Sequence, residues 1–144
     1  MSFIHTPTSY YMKEVIYLLY STQRDAYRAA RITLIYDTRH RIAQQGIEAV
    51  IFIHKKSVIH SDLSGRQFLV DKRCNARLSD FGGSSLQGSD AIARENAIHF
   101  LRRDKDAPNT VQSDIFAIGS TIYEILVGHR PYEGLGDKEI QLLY

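Results

Sequence analysis

The sequence predicts a mostly α, α+β fold in which a helical body carries one small β-hairpin. Residues 9–60 contain one glycine and no proline, and alanine, arginine, glutamine, leucine and isoleucine dominate them, which favours helices. Two short segments with apolar centres, 67–71 and 76–80, are joined by a polar turn and predict the hairpin. A run that is apolar on nearly every face, 115–127, predicts a buried helix.

The first half of the chain is expected to form two or three helices before residue 57. Asp37 and Thr38 predict the start of the last one, because both side chains can cap free backbone amides. Lys55 and Lys56 near its end suit the negative pole of a helix. The tyrosines of this region are interpreted as one face of an amphipathic helix: Tyr10, Tyr11, Tyr17, Tyr20 and Tyr27.

The second half is expected to begin with an irregular stretch, because 81–110 is rich in glycine and serine. Gly128 stands in the usual helix-stop position after the apolar run, and Pro131 follows it. Residues 137–144 predict the first turns of another helix. Cys74 lies in the predicted hairpin turn, with nothing beside it in the sequence that marks a reactive thiol.

Composition indicates an ordinary globular protein and shows no sign of a nucleic-acid-binding, metal-binding or secreted one. A chain of 144 residues with 44% apolar and 24% charged residues predicts one globular domain. The formal charge of +2 gives no reason to expect a nucleic-acid partner or an anionic membrane. One cysteine and six scattered histidines give no metal-binding spacing. With neither a signal peptide nor a membrane-length apolar stretch, we expect a soluble, intracellular, cytoplasmic protein, and the oligomeric state stays open.

Two motifs in the middle of the chain carry chemistry. Residues 60–67 read His-Ser-Asp-Leu-Ser-Gly-Arg-Gln, and 80–82 read Asp-Phe-Gly. This order and spacing resemble the H-R-D-L-x-x-x-N and D-F-G loops of protein kinases. Asp114 to Gly119 is similar to the D-x-W-x-x-G motif of that family, and 123–132 is similar to the Y-E-x-L-x-G-x-x-P-F that follows it. The resemblance covers residues 38–144 and implies the helical C-terminal lobe of a kinase-like fold.

The resemblance implies ATP-dependent transfer of a phosphoryl group to a protein hydroxyl, with ATP and Mg²⁺ as cofactors and a protein as substrate or partner. By position, Asp62 is the catalytic base, Asp80 holds magnesium against the nucleotide, and Gln67 replaces the asparagine that holds a second metal. Structural support is implied for His60, Phe81, Gly82 and Asp114. Ser64 and Arg66 leave serine/threonine against tyrosine specificity open.

The chain also departs from the kinase pattern. Ser61 replaces the arginine that binds a loop phosphate in many kinases, which suggests that such control is weak or missing. The A-P-E motif is not recovered: Ala107-Pro108-Asn109 lies too close to Asp114, and the matching region, 100–102, has no glutamate. Arg102-Arg103 in this region are interpreted as solvated surface.

The ATP-binding lobe has no clear counterpart in the sequence. The first glycine is Gly46, so no glycine-rich loop precedes the catalytic loop, and the context of Lys13 does not match the nucleotide-binding lysine. We therefore divide the chain into a helical N-terminal segment of unassigned role, 1–37, and a partial kinase domain, 38–144, truncated at Tyr144. A chain ending there should leave apolar surface exposed, so it should be poorly soluble alone or need a partner.

Two hypotheses for function follow. One is a fragment or divergent form of an active kinase, although catalysis by these 144 residues alone is not expected. The alternative is a catalytically inactive pseudokinase or truncated fragment that acts as an interaction module. Ser61, Gln67 and the missing A-P-E favour the alternative, whereas the retained Asp62 and Asp80 argue against it.

Overall fold

One long helix forms the back of the molecule. The computed structural model describes residues 9–11, 28–104 and 106–143, and helix α1 spans Arg28–Lys55. The predicted start at Asp37 and Thr38 is wrong, because both residues lie inside α1. The preceding turns contain neither glycine nor proline, so nothing interrupts the helix there. The other helices predicted in this region fall on residues 12–27, outside the described residues.

A short strand precedes this helix where helix was predicted. Strand β1 (Ser9–Tyr11) pairs antiparallel with the first strand of the hairpin, with Tyr10 opposite Val70. The interpretation of Tyr10 and Tyr11 as part of a helix face is therefore wrong. The hairpin offers an open edge, and tyrosine suits a strand once such an edge is available. Tyr17, Tyr20 and Tyr27 lie outside the described residues.

The predicted hairpin is confirmed. Strands β3 (Phe68–Asp71) and β4 (Ala76–Leu78) pair antiparallel, and together with β1 they form a three-stranded sheet in the order β1-β3-β4. Cys74 lies in the turn with a positive φ of 60°. A second, two-stranded sheet pairs β2 (Val58–Ile59) with β5 (Ser85–Leu86), and a single 3₁₀ turn (Gly65–Gln67) leads into β3.

The second long helix, α2 (Val111–Val127), begins and ends at recognisable caps. The Thr110 hydroxyl accepts a hydrogen bond from the Ser113 amide, and the Ser113 hydroxyl accepts one from the Thr110 amide, which forms a reciprocal capping box. At the other end, Gly128 adopts the left-handed conformation with φ 93°, as the helix-stop prediction required. Helix α3 (Asp137–Gln141) follows.

The core lies between α1, α2 and the hairpin. Phe68 is fully buried and packs beside Gly46, where an added Cβ would lie 3.5 Å from the ring. Helix α2 is not buried on nearly every face, because the described elements cover one side and leave Ile115 55% exposed. No helix within the described residues is long and apolar enough to cross a membrane. The main cluster of buried apolar residues consists of Ile42, Ala43, Val50, Leu63, Phe68, Val70, Ala117, Ile118 and Ile125.

Candidate active site

A buried carboxylate holds the 60–62 loop from behind. Asp114, in the first turn of α2, is fully buried. Its Oδ2 accepts a hydrogen bond from the His60 amide at 2.7 Å, and its Oδ1 accepts one from the Ser61 amide at 3.0 Å. The Nε2 atom of His54, near the end of α1, lies 3.0 Å from Oδ2. One side chain therefore joins α1, α2 and the loop that carries Asp62.

The backbone at the head of this loop adopts a conformation that few side chains tolerate. Ser61 has a φ of 73° and is completely buried. A positive φ at a non-glycine residue costs free energy, so it persists only where surrounding contacts enforce it. The hydrogen bond from the Ser61 amide to Asp114 is such a contact. It fixes the chain direction immediately before Asp62.

The candidate base is held by the residue five positions later. The amide nitrogen of Gln67 donates a hydrogen bond of 2.8 Å to Oδ2 of Asp62. Burial raises the pKa of the half-buried Asp62 carboxyl, against the lowering effects of the Gln67 hydrogen bond, Arg66 and His60. The charge of the Asp80 carboxylate adds a smaller rise to this pKa, because like charges disfavour ionisation.

The second carboxylate is open to solvent. Asp80 is exposed and has a positive φ of 60°. Within the part of the chain that the structure describes, its carboxylate has no hydrogen-bond or ion-pair partner. Magnesium binds proteins through one or two carboxylates together with water and substrate phosphates, so Asp80 fits a magnesium ligand. Gln67 fits this role through its amide oxygen, because magnesium takes oxygen ligands, and its amide nitrogen donates to Asp62.

The supporting residues pack the two loops together. His60 is buried, and its Nε2 donates to the carbonyl of Ser79 at 2.9 Å, directly before Asp80. The ring of Phe81 lies 5.2 Å from the His60 ring, centroid to centroid. Gly82 lies beside Asp80, since a Cβ at position 82 would stand in ordinary van der Waals contact with Oδ1, 3.7 Å away. The loop 60–62 and the segment 79–82 are therefore adjacent.

Sequence reasoning missed two groups around this site. It did not foresee that His54 contacts Asp114, because 60 residues separate them in the chain. It also interpreted Arg103 as solvated surface, and this is wrong: the Arg103 side chain is 11% exposed and pairs with the buried Glu95. The only sequence signal for that pair is two opposite charges eight residues apart in an irregular stretch, which specifies no contact.

The fold and site define a protein-kinase domain. A family model described as the protein kinase domain matches residues 2–143. The chain therefore belongs to the protein kinase family.

The curated relatives that the chain matches are protein kinases, several of them named as serine/threonine kinases. CBL-interacting protein kinase 1 of Oryza sativa subsp. japonica is 34% identical over 114 residues, which cover 72% of this chain and 24% of that protein. Serine/threonine-protein kinase PrkC of Bacillus subtilis is 28% identical over 107 residues, covering 70% of this chain and 16% of the relative. The chain thus spans about a quarter or less of the length of these relatives.

A solved structure shares the fold. The ROP18 kinase domain, determined in complex with AMP-PNP and sucrose, superposes with a TM-score of 0.69 at 22% sequence identity. The match covers 88% of this chain and 34% of that one. It supports the kinase-like arrangement of two long helices, a small hairpin and the loops between them.

Proposed function

We propose that this chain supplies the catalytic loop and metal-binding loop of an ATP-dependent protein kinase. The reaction is transfer of the γ-phosphoryl group to a protein hydroxyl. One observation carries the proposal: a half-buried Asp62 with a raised pKa is held by Gln67 within electrostatic range of the exposed Asp80. Two carboxylates in different environments suit two different tasks, one for a proton and one for a cation.

In this proposal Asp62 accepts the proton of the attacking hydroxyl. A base works best when its pKa approaches the working pH, and burial moves the pKa of Asp62 in that direction. Gln67 orients the carboxylate by donating to Oδ2, which leaves Oδ1 for the substrate hydroxyl. Asp114 keeps the loop backbone in place through the amides of His60 and Ser61.

Asp80 and the amide oxygen of Gln67 would hold magnesium. When bound, magnesium neutralises charge on the nucleotide phosphates. The solved ROP18 kinase domain that shares this fold contains AMP-PNP, an analogue of ATP, which favours ATP as the nucleotide here. We further propose a protein substrate, a cytoplasmic location, and a partial C-terminal lobe at 38–144 preceded by a segment of unassigned role at 1–37.

The metal site can be tested on the chain itself. Mn²⁺ added to ¹⁵N-labelled protein should broaden the amide signals of residues near Asp80, because a paramagnetic ion relaxes nearby nuclei. Asp80→Asn should remove the broadening, and Asp90→Asn, at another exposed carboxylate, should preserve it. Equal broadening in the Asp80→Asn variant would contradict the metal role.

The role of Asp62 as catalytic base is tested by a phosphoryl-transfer assay. The assay uses the longest available form of the protein that contains these 144 residues. Asp62→Asn should lower kcat by about 10²–10⁴-fold with little change in the KM for ATP. Asp90→Asn again serves as the control. If neither Asp62→Asn nor Asp80→Asn changes any activity or metal binding, the interaction-module alternative replaces this proposal.

A further inference from the structure

The segment between the metal-binding loop and α2 contains a buried ion pair. The Glu95 side chain is completely buried, and its Oε2 lies 2.8 Å from Nη2 of Arg103. The guanidinium also stacks over the Phe100 ring, 4.6 Å from its centroid. Burying two charges is costly unless they are paired with good geometry, so either partner alone would be strongly unfavourable here.

The same guanidinium reaches the end of the segment. Arg103 donates to the side-chain oxygen of Asn109 through Nη2 and to the carbonyl of Leu101 through Nη1. Asn109 in turn donates from Nδ2 to the carbonyl of Ala93 at 2.9 Å. Thr110, the N-cap of α2, follows directly. We call Glu95, Arg103 and Asn109 the Glu95 cluster.

The beginning of the segment is tied to the same place. The Gly83 carbonyl accepts hydrogen bonds from the amides of Ile92 and Ala93, both at 3.1 Å. This close approach requires glycine, because a Cβ at position 83 would lie 2.3 Å from the Cβ of Ala93. The Ser120 hydroxyl on α2 donates to the Ile98 carbonyl at 2.9 Å. The segment 83–109 is therefore closed by its own contacts and attached to α2.

The position directly before Asp62, where many kinases carry an arginine, supplies no cation that could bind a phosphate on this segment. The residue before Asp62 is Ser61, which is completely buried and whose hydroxyl contacts the Ile59 carbonyl at 3.4 Å. A phosphate brings its negative charge to the segment only after the protein has been phosphorylated. A carboxylate and a guanidinium are both charged at neutral pH without any modification. The Glu95 cluster provides such a permanent pair.

We propose that the Glu95 cluster is a built-in clamp that positions the substrate-side segment 83–109 without phosphorylation. The role of the clamp in positioning a substrate rests on the proposed kinase function, whereas the clamp itself is a property of the fold. Arg103 and Glu95 are positioning residues: they touch no reacting group and act by holding the segment that leads from Asp80 to α2.

Hydrogen exchange with mass spectrometry tests the clamp. The protein is made in bacteria, shown by mass to carry no phosphate, and measured without nucleotide or metal. In the wild type the hydrogen-bonded amides around the cluster should be protected, namely those of Ile92, Ala93, Ile98, His99 and Ala107. In Glu95→Gln and in Arg103→Gln they should exchange about tenfold faster or more, since each variant removes a charge-assisted hydrogen bond. Amides of 42–54 in α1 should not change.

Matched controls remove one exposed charge of each sign. Glu48→Gln on α1 and Arg77→Gln on β4 should leave exchange of 84–109 unaltered. The proposal is overturned if the unphosphorylated wild-type segment exchanges like free peptide, or if the Glu95 and Arg103 variants match the wild type. Equal acceleration in α1 would also overturn it, because the pair would then support the whole domain.

A double variant covers the case in which the single variants do not fold. Glu95→Gln combined with Arg103→Gln leaves no uncompensated buried charge, so it should fold where the single variants fail. Faster exchange confined to 84–109 in this variant supports the clamp, and unchanged exchange contradicts it. Because no metal is present, failure of magnesium binding at Asp80 would leave this result unaffected.

Discussion

A buried histidine makes the stability of the chain depend on pH. His99 is 2% exposed, its Nδ1 lies 2.9 Å from Oδ1 of Asn96, and its Nε2 has no hydrogen-bond partner within the described residues. Burial lowers the pKa of His99 from 6.5 to about 4, and the positive charges of Arg130 and Arg66 act in the same direction. The imidazole is therefore neutral in the folded chain at pH 5, whereas it is protonated in the unfolded chain.

The sign and size of the effect follow from proton linkage. Between pH 6.5 and pH 4 the unfolded chain binds a proton that the folded chain does not, so the free energy of unfolding falls as the pH falls. A pKa of about 4 in the folded state, against 6.5, corresponds to a loss of about 2 kcal/mol between pH 7 and pH 5. The loss at pH 4 amounts to about 3 kcal/mol relative to neutral pH.

Urea unfolding of the wild type and His99→Gln at pH 7, 6 and 5 measures this contribution. Other groups titrate equally in both proteins, so the difference between them isolates His99. The wild type should lose about 2 kcal/mol more than His99→Gln between pH 7 and pH 5. His129→Gln, at an exposed histidine, should follow the wild type. The same pH dependence in wild type and His99→Gln would refute the reasoning.

Three further predictions concern the core, the segment and the hairpin turn. Phe68→Ala should lower the free energy of unfolding by about 3–5 kcal/mol in urea titrations, because it empties a fully buried site; an effect below 1 kcal/mol would contradict the packing. Gly83→Ala should force Ala93 away and speed hydrogen exchange in 84–109, and unchanged exchange would count against the close approach. Hydrogen bonds from Asn75 lower the pKa of Asp71, so Asp71→Asn should reduce the melting temperature at pH 7 but not below pH 3; equal melting at pH 7 would disprove this.

Local signals in the sequence were sufficient for the hairpin and for the end of α2. A polar turn between two apolar strands fixes β3 and β4, and Gly128 supplies the left-handed residue that a helix end favours. The predicted start of α1 was wrong because Asp37 and Thr38 tolerate a helix interior when nothing nearby breaks the helix. A cap residue indicates a boundary only where the preceding residues do not continue the helix.

Long-range contacts account for what the sequence could not predict. The motif spacing brought Asp62, Gln67 and Asp80 into one candidate site, but their mutual arrangement depends on Asp114, which reaches back across more than 50 residues. Strand β1 forms because the hairpin offers an edge, and the burial of Arg103 depends on where Glu95 lies. None of these contacts has a periodic signature, so residue type alone assigned Arg103 to the surface.

The replacement of the usual arginine by Ser61 bears on how the two loops around the candidate site are held. Ser61 supplies no cation where many kinases carry an arginine. The Asp114 carboxylate holds the loop through the backbone amides of His60 and Ser61, which do not depend on the side chain at position 61. In the clamp proposed above, the neighbouring segment is ordered in part by charges that are always present, those of Glu95 and Arg103. Both loops around the candidate site are therefore held by buried carboxylates whose hydrogen bonds form on folding, so the arrangement of the site should follow the folding equilibrium and not a modification state.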